Sequence, residues 1–259
     1  MRIMKRYTIV LSAIIAVGLC PAMLSSCSKY NEMPFGGMNG KVQKVTVTHI
    51  MPEVWHANNR GSDIMYINTS VYDVEGNEIY SAVQDSAYRF VSQAESLFDN
   101  GVCIRSTQKA GNRVVAQINL MSKKRGTFEY NKEINGRLVR MTVKESSFGR
   151  RYKSVVTEDG KVTTISVIQT DRKGFPVKIT ISEPLSGKKT VETNVFDENY
   201  NVVEKHVYTN MGETGKEEDN TTYFKYGDLD EHGNWTVCRT YNKIHLPAEI
   251  LVREIDYWE

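Results

Sequence analysis

Lys173-Gly174-Phe175-Pro176-Val177-Lys178-Ile179-Thr180-Ile181-Ser182 is the stretch whose pattern sets the fold class. Phe175, Val177, Ile179 and Ile181 alternate with Pro176, Lys178, Thr180 and Ser182, and Lys173-Gly174 stands in front as a turn. Successive side chains of a strand point to opposite faces, so this spelling makes one apolar face and one polar face. The pattern recurs. Val114, Ala116, Ile118 and Leu120 alternate with Val115, Gln117, Asn119 and Met121, and Val139, Met141 and Val143 with Arg140, Thr142 and Lys144. These runs are rich in Val, Ile, Thr and Tyr, which suit a pleated, half-buried surface.

Working outward, turn signals separate the runs: Glu75-Gly76-Asn77, Asp99-Asn100-Gly101, Gly111-Asn112, Asn135-Gly136, Glu158-Asp159-Gly160, Ser186-Gly187, Asp197-Glu198-Asn199 and His232-Gly233-Asn234. Gly and Asn accept the positive φ that tight hairpins demand. Short alternating runs with such punctuation predict an all-β chain, an antiparallel meander forming a curved sheet or an open barrel. An open sheet has edges, and Lys188-Lys189 are the kind of residues that protect one. Val83, Ala87, Phe90, Val91, Ala94 and Leu97 also fit a helical stripe. The strand reading is preferred there, because Tyr88 and Phe90 alternate and the stretch ends in Phe98-Asp99-Asn100-Gly101.

Several turns share more than glycine. Tyr72-Asp73-Val74-Glu75-Gly76-Asn77 is an aromatic-Asp-x-x-Gly-Asn unit. Phe196-Asp197-Glu198-Asn199-Tyr200-Asn201 repeats it with Tyr200 in the glycine position, Asp230-Glu231-His232-Gly233-Asn234 repeats it after Leu229, and Asp99-Asn100-Gly101 is a shortened copy. Residues 65–241 thereby resemble the YD-repeat proteins related to RHS elements. The resemblance implies hairpin repeats side by side, although repeat lengths vary and the chain is far shorter than an RHS shell. In the unit, the Asp side chain can accept from the turn backbone and the glycine can take the positive φ.

The N-terminus is of another kind. Arg2, Lys5 and Arg6 precede an apolar run whose core, Ile9 to Leu19, is short for a membrane-spanning helix of roughly 20 residues. A basic start and a short apolar core mark a secretory signal. Leu24-Ser25-Ser26-Cys27 resembles the lipobox of bacterial lipoproteins, and Cys20, preceded by Leu19, fits it less well. The resemblance implies cleavage after Ser26, a diacylglyceryl thioether and an N-acyl chain on Cys27, and membrane attachment through that lipid. Two or more acyl chains hold stably where one does not. Ser28 rather than Asp after the cysteine points to the outer membrane, and the single acid in Ser28-Lys29-Tyr30-Asn31-Glu32 gives no surface-export signal. The expected organisation is a signal peptide over 1–26, a Gly- and Pro-containing tether over 27–40 and one all-β body over 41–259.

Removing residues 1–26 leaves 30 basic residues of the 33 against 31 acidic ones, so the body is near neutral. With no basic block, the composition argues against nucleic-acid binding. The body keeps Cys103 and Cys238, which could pair in an oxidising compartment or stay free and buried.

Catalytic and metal signals are weak. His49 and His56 flank Met51-Pro52-Glu53-Val54-Trp55, but their spacing matches no zinc motif. There is no Gly-x-Ser-x-Gly elbow. Glu217-Glu218-Asp219 read as part of a solvated loop from Gly212 to Asn220, which, like Met51 to Ser62, is long enough to hold a binding function. Trp55, Trp235 and Trp258 could join a glycan- or peptide-binding strip or pack across strands. Asp85-Ser86-Ala87 resembles a short O-glycosylation acceptor. No cofactor, metal or catalytic residues are assigned. The expectation is a non-enzymatic envelope lipoprotein, a tethered β platform for a protein or glycan partner. A periplasmic or surface hydrolase acting on glycan or peptide is the alternative.

Overall fold

The computed structural model describes residues 38–52 and 64–259. The expected signal segment, with Leu24, Ser25, Ser26 and Cys27, lies outside them, as do most of the expected tether, Trp55 and His56.

The described residues form sixteen strands in one meander. They are β1 Val42–Ile50, β2 Ile64–Tyr72, β3 Glu78–Asp85, β4 Phe90–Asp99, β5 Val102–Ala110, β6 Arg113–Lys124, β7 Thr127–Ile134, β8 Arg137–Phe148, β9 Arg151–Glu158, β10 Lys161–Thr170, β11 Pro176–Glu183, β12 Lys188–Phe196, β13 Val202–Met211, β14 Glu217–Tyr226, β15 Val237–Tyr241 and β16 Pro247–Tyr257. Each strand pairs antiparallel with the next. β1 also pairs with β16, from Val45 opposite Ile255 to Ile50 opposite Ile250. The meander therefore closes into a barrel rather than stopping at the open form. The segment over residues 83–97 is strand, with a turn between β3 and β4. Lys188 and Lys189 do not guard an edge. β12 is paired on both sides, with β11 and β13, because closure removes the edge they would have protected.

Registers around the ring sort the side chains into two faces. Val47 lies opposite Asn68, Asn68 opposite Val83 and Val83 opposite Ser92. On the far side of the ring Phe128 lies opposite Val143 and Val143 opposite Val156. This face holds most of the buried strand residues and points inward. The other face carries Arg105, Glu129, Glu133, Arg140, Lys144, Lys153, Lys178, Lys189, Lys225 and Arg239, all exposed. One departure from the sequence pattern is Val114, which is exposed rather than inward. A bulge between Gln108 and Lys109 lets Ala116 and Val114 oppose consecutive residues, and this re-aims Val114.

Two kinds of turn make most of the connections between strands. From β4 to β10 the turns are tight. Asn100-Gly101, Arg125-Gly126, Asn135-Gly136 and Asp159-Gly160 all hold positive φ at both positions, the type I′ geometry whose twist matches that of paired strands. Elsewhere a five-residue loop recurs six times among the described residues. It starts at Asp73, Asp85, Asp171, Asp197, Asp230 and Asn242. In each, the first residue's N–H and C=O bond the fifth residue's C=O and the fourth residue's N–H, and its side-chain Oδ1 accepts from the backbone N–H of the third and fifth residues. The fourth residue takes positive φ and is Gly76, Tyr88, Gly174, Tyr200, Gly233 or His245. Asp99 is not of this kind. Its carboxylate takes only the Asn100 side-chain amide, in a two-residue turn.

The interior is filled unevenly. Val102, Cys103, Ile118, Phe128, Tyr130, Met141 and Val143 of β5 to β8 pack into one buried cluster. Inward residues of β11 to β14, among them Ile179, Ile181, Val207 and Phe224, are only half-buried.

Candidate functional site

Where β1, β2 and β16 meet, inward polar groups gather. His49 is buried, with its ring stacked 3.9 Å from that of Tyr66. Its Nδ1 lies 3.1 Å from Glu249 Oε2, and the Asn68 side-chain nitrogen lies 3.1 Å from its Nε2. The Asn68 amide and the Glu249 carboxylate thus hold the His49 ring from its two nitrogens. The Asn68 Oδ1 is buried without a partner. One turn of sheet away, Ser70 Oγ donates to Glu78 at 2.5 Å. Burial raises the Glu78 carboxyl above its ordinary pKa, and the Ser70 bond offsets only part of that. These groups are spent largely on one another.

A second cluster seals the seam. Asn39 N–H donates to Asn234 Oδ1 at 2.8 Å, and Asn234 Nδ2 donates to Asn39 C=O at 2.9 Å and to Tyr257 OH at 2.7 Å. Tyr257 OH in turn donates to Asp230 at 2.5 Å. Burial favours the neutral Asp230 carboxyl. The bonds from Tyr257 and from the Asn234 and His232 N–H groups outweigh that and hold it below its usual range. Arg253 lies 3.7 Å over the Trp235 ring and donates to the Trp235 C=O at 2.7 Å, and burial pushes its guanidinium down to about 10. The start of the described chain is thus pinned to the β14–β15 connection. Met38 packs with Val42, Val45 and Trp258.

One buried charge sits in the packed arc. Lys132 is 3% exposed and meets Glu158 at 2.6 Å. Cys103 and Cys238 are free, buried thiols, and burial pushes them up to about 11 and about 12. Both face inward, from strands β5 and β15, far apart in the ring order.

A cleft of about 420 Å³ opens at the end of the barrel where β8–β9 and β10–β11 turn. It is lined by Arg150, Arg151, Gln169, Thr170, Asp171 and Val177. The Asp171 carboxylate is directed into its own loop, where it accepts from Lys173 and Phe175 N–H. The two arginines are exposed.

Of the residues singled out in the sequence, Tyr72 packs beside Val42 and Val45, and Asp73, Gly76, Asp197, Asp230 and Gly233 all sit in five-residue loops. Gly101 ends a two-residue turn. The polar loop read from Gly212 to Asn220 is shorter than expected. Gly212–Thr214 forms a 3-10 turn, and Glu217 to Asn220 are already strand β14, because Tyr208 OH donates to Glu217 at 2.7 Å and His206 pairs with Asp219 across β13–β14. Asp85 of the possible glycosylation acceptor caps its own loop, with Ser86 exposed beside it. Trp235 and Trp258 pack at the seam rather than forming a strip. The arginine cleft had a faint signal, the doublet Arg150-Arg151 beside Gly149, which means little until the ring places it.

No protein-family model matches the chain, and no curated protein matches its sequence. Among solved structures, a porin-like protein from Bacteroides vulgatus ATCC 8482 aligns with 84% of this chain and 98% of its own, at 10% identity and a TM-score of 0.44. A porin-like protein from Bacteroides uniformis ATCC 8492 aligns with the same shares at 11% identity and a TM-score of 0.35. A LolA-superfamily protein from Nitrosomonas europaea aligns with 92% of this chain and 94% of its own at 10% identity and a TM-score of 0.27. At these identities and TM-scores the likenesses assign no role.

Proposed function

We propose that the protein is a non-enzymatic envelope lipoprotein. Acyl groups on Cys27 hold a water-facing barrel at the outer membrane, and the barrel is a platform for a protein or glycan partner. The observation that carries this reading is the chemistry of the outer wall. Arg105, Glu129, Arg140, Lys144, Lys153, Lys178 and Lys225 stand exposed on the outward face of the strands, the face that a membrane-spanning barrel turns to lipid. A Lys or Arg on the lipid face at mid-bilayer costs about 2–4 kcal/mol each. The barrel wall therefore belongs in water, and attachment to a membrane falls to the segment before residue 38. Leu24-Ser25-Ser26-Cys27 resembles the signal that supplies it.

The non-enzymatic part rests on how the titratable groups are used. His49, Glu249, Glu78 and Lys132 each have a protein partner. The half-exposed inner wall of β11 to β14 is where a partner would seat.

Metabolic labelling with palmitate tests the anchor. The parent chain takes up label, and Cys27→Ala does not. Label persisting in Cys27→Ala, or a mature N-terminus upstream of Cys27 by mass spectrometry, overturns the lipoprotein reading.

A further inference from the structure

We propose that the barrel end nearest the N-terminus carries a basic rim that docks on an anionic lipid surface. Part of the reasoning, the tether, rests on the lipoprotein reading. Strand β1 runs away from this end and β16 returns to it, so Met38, the turns after β2, β4, β6, β8, β10, β12 and β14, and Glu259 share it. Three adjacent turns of that set, after β6, β8 and β10, bring together Lys123-Lys124-Arg125, Arg150-Arg151 and Arg172-Lys173.

These cations differ from several others near strand ends. Arg89, Lys109, Arg137, Lys188 and Lys205 each meet a carboxylate. Lys124, Arg125, Arg150, Arg151 and Arg172 join no ion pair among the described residues. Lys123 lies 5.8 Å over Phe128 and Lys173 4.0 Å over Tyr200. The acids nearby are Asp171, turned into its loop, Glu129, which takes a bond from Ser122, Glu145, and Asp197 and Glu198 of the adjoining loop, whose Tyr200 stacks on Phe175. Between the arginines lies the cleft of about 420 Å³. Two guanidinium groups at a cleft mouth suit the planar, forked recognition of a phosphodiester. Beside them Phe148 is 89% exposed at the tip of β8, an apolar ring of the kind that inserts at the boundary between headgroups and acyl chains.

The rest of this end is acidic, with Asp73, Glu75, Asp99, Asp197, Glu198, Asp228, Asp230 and Glu231. Asp99 and Asp197 lie four strands from the β8–β9 turn, about 19 Å along the ring at ~4.8 Å per strand. That exceeds two Debye lengths of ~8 Å, so the central Arg150-Arg151 pair is screened from those carboxylates, whereas Arg172-Lys173 and Lys123-Lys124-Arg125 border them two strands away. Ten residues separate Cys27 from Met38 and span at most about 35 Å. A lipid on Cys27 thus keeps this end, not the opposite one, within reach of the headgroups.

The test uses the mature chain, with Cys27→Ser and without residues 1–26, which retains every strand. It is sedimented with phosphatidylcholine vesicles, and with vesicles of phosphatidylcholine and phosphatidylglycerol in equal parts. The chain pellets with the anionic vesicles, and high salt releases it. Each cation near the surface is worth about a fivefold change in partition. Arg150→Gln/Arg151→Gln therefore lowers partition about 25-fold, while Lys144→Gln/Lys153→Gln, the same charge change on the outer wall, lowers it little. Equal binding to neutral vesicles, equal losses in the two double variants, or binding to a duplex oligonucleotide in place of vesicles overturns the proposal. Because this chain has no acyl group, its failure leaves the palmitate result untouched, and loss of the palmitate label leaves this binding untouched.

Discussion

Tyr130, Met141 and Val143 on the inner wall of β7 and β8 are almost out of water, whereas Ile179, Ile181 and Val207, at equivalent inward positions on β11 and β13, remain half-exposed. A ring of sixteen strands is too wide for side chains from opposite walls to fill, unlike one of eight. Burial then comes chiefly from neighbours along the same wall. In the β5–β8 arc bulky residues sit side by side: Phe128 beside Val143, Tyr130 between Leu120 and Met141. In the β11–β14 arc the apolar residues are interleaved with Glu192, Thr190, Thr209, Asn220 and Thr222, which cover little. The turns divide along much the same line, two-residue hairpins serving the packed arc and five-residue Asx-type loops much of the remainder.

If the packed arc carries the stability, Met141→Ala costs about 2–5 kcal/mol in urea unfolding, the range for a truncated buried side chain. Ile181→Ala costs about 1 kcal/mol, since its side chain keeps much of its contact with water. Similar losses at the two sites would erase the contrast between the arcs. The turn contrast gives a smaller effect. Asp197→Ala orphans the N–H groups of Asn199 and Asn201 and lowers stability by about 1–2 kcal/mol. Asp99→Ala loses only a contact to Asn100 and stays within about 0.5 kcal/mol of the parent. Equal costs would mean that the five-residue loop does not depend on its leading carboxylate.

The smallest effect concerns Glu78, at the start of β3 and outside both arcs. Its folded-state pKa is raised, so the folded chain holds that proton more tightly than the unfolded chain. Stability is therefore greater below the carboxylate range and diminishes as pH rises through the raised value. Glu78→Gln keeps an acceptor for Ser70 without the charge. Thermal unfolding at pH 7 should rise by at most about 4 °C, and the slope of Tm between mildly acid and neutral pH should flatten. A fall in Tm at pH 7 would show that the charge is favoured in the fold.

Much of the local structure was legible in the residues. Val139, Met141 and Val143 read as one face of a strand and are one, and Asn135-Gly136 and Asp159-Gly160 read as turns and are turns. The turns at Arg125-Gly126, Gly149-Arg150 and Asn242 to Leu246 are less legible, because a single Gly or Asn beside Arg, Ile or Leu is a weak turn signal. The candidate site was less legible. His49 stands alone in the sequence reading, since its spacing to His56 matches no metal motif, and its partner Glu249 comes from the other end of the chain. The basic doublets are short and dispersed, and only the order of hairpins around the ring makes them neighbours.

The sequence by itself determined the two-faced strands and where many of them end, because alternation and positive φ are properties of a few consecutive residues. Tertiary structure alone decided that β1 meets β16, that one arc is packed and another left open, and which turns share a rim. Closure depends on twist and register accumulated over sixteen strand pairs, and no short stretch of chain encodes that sum.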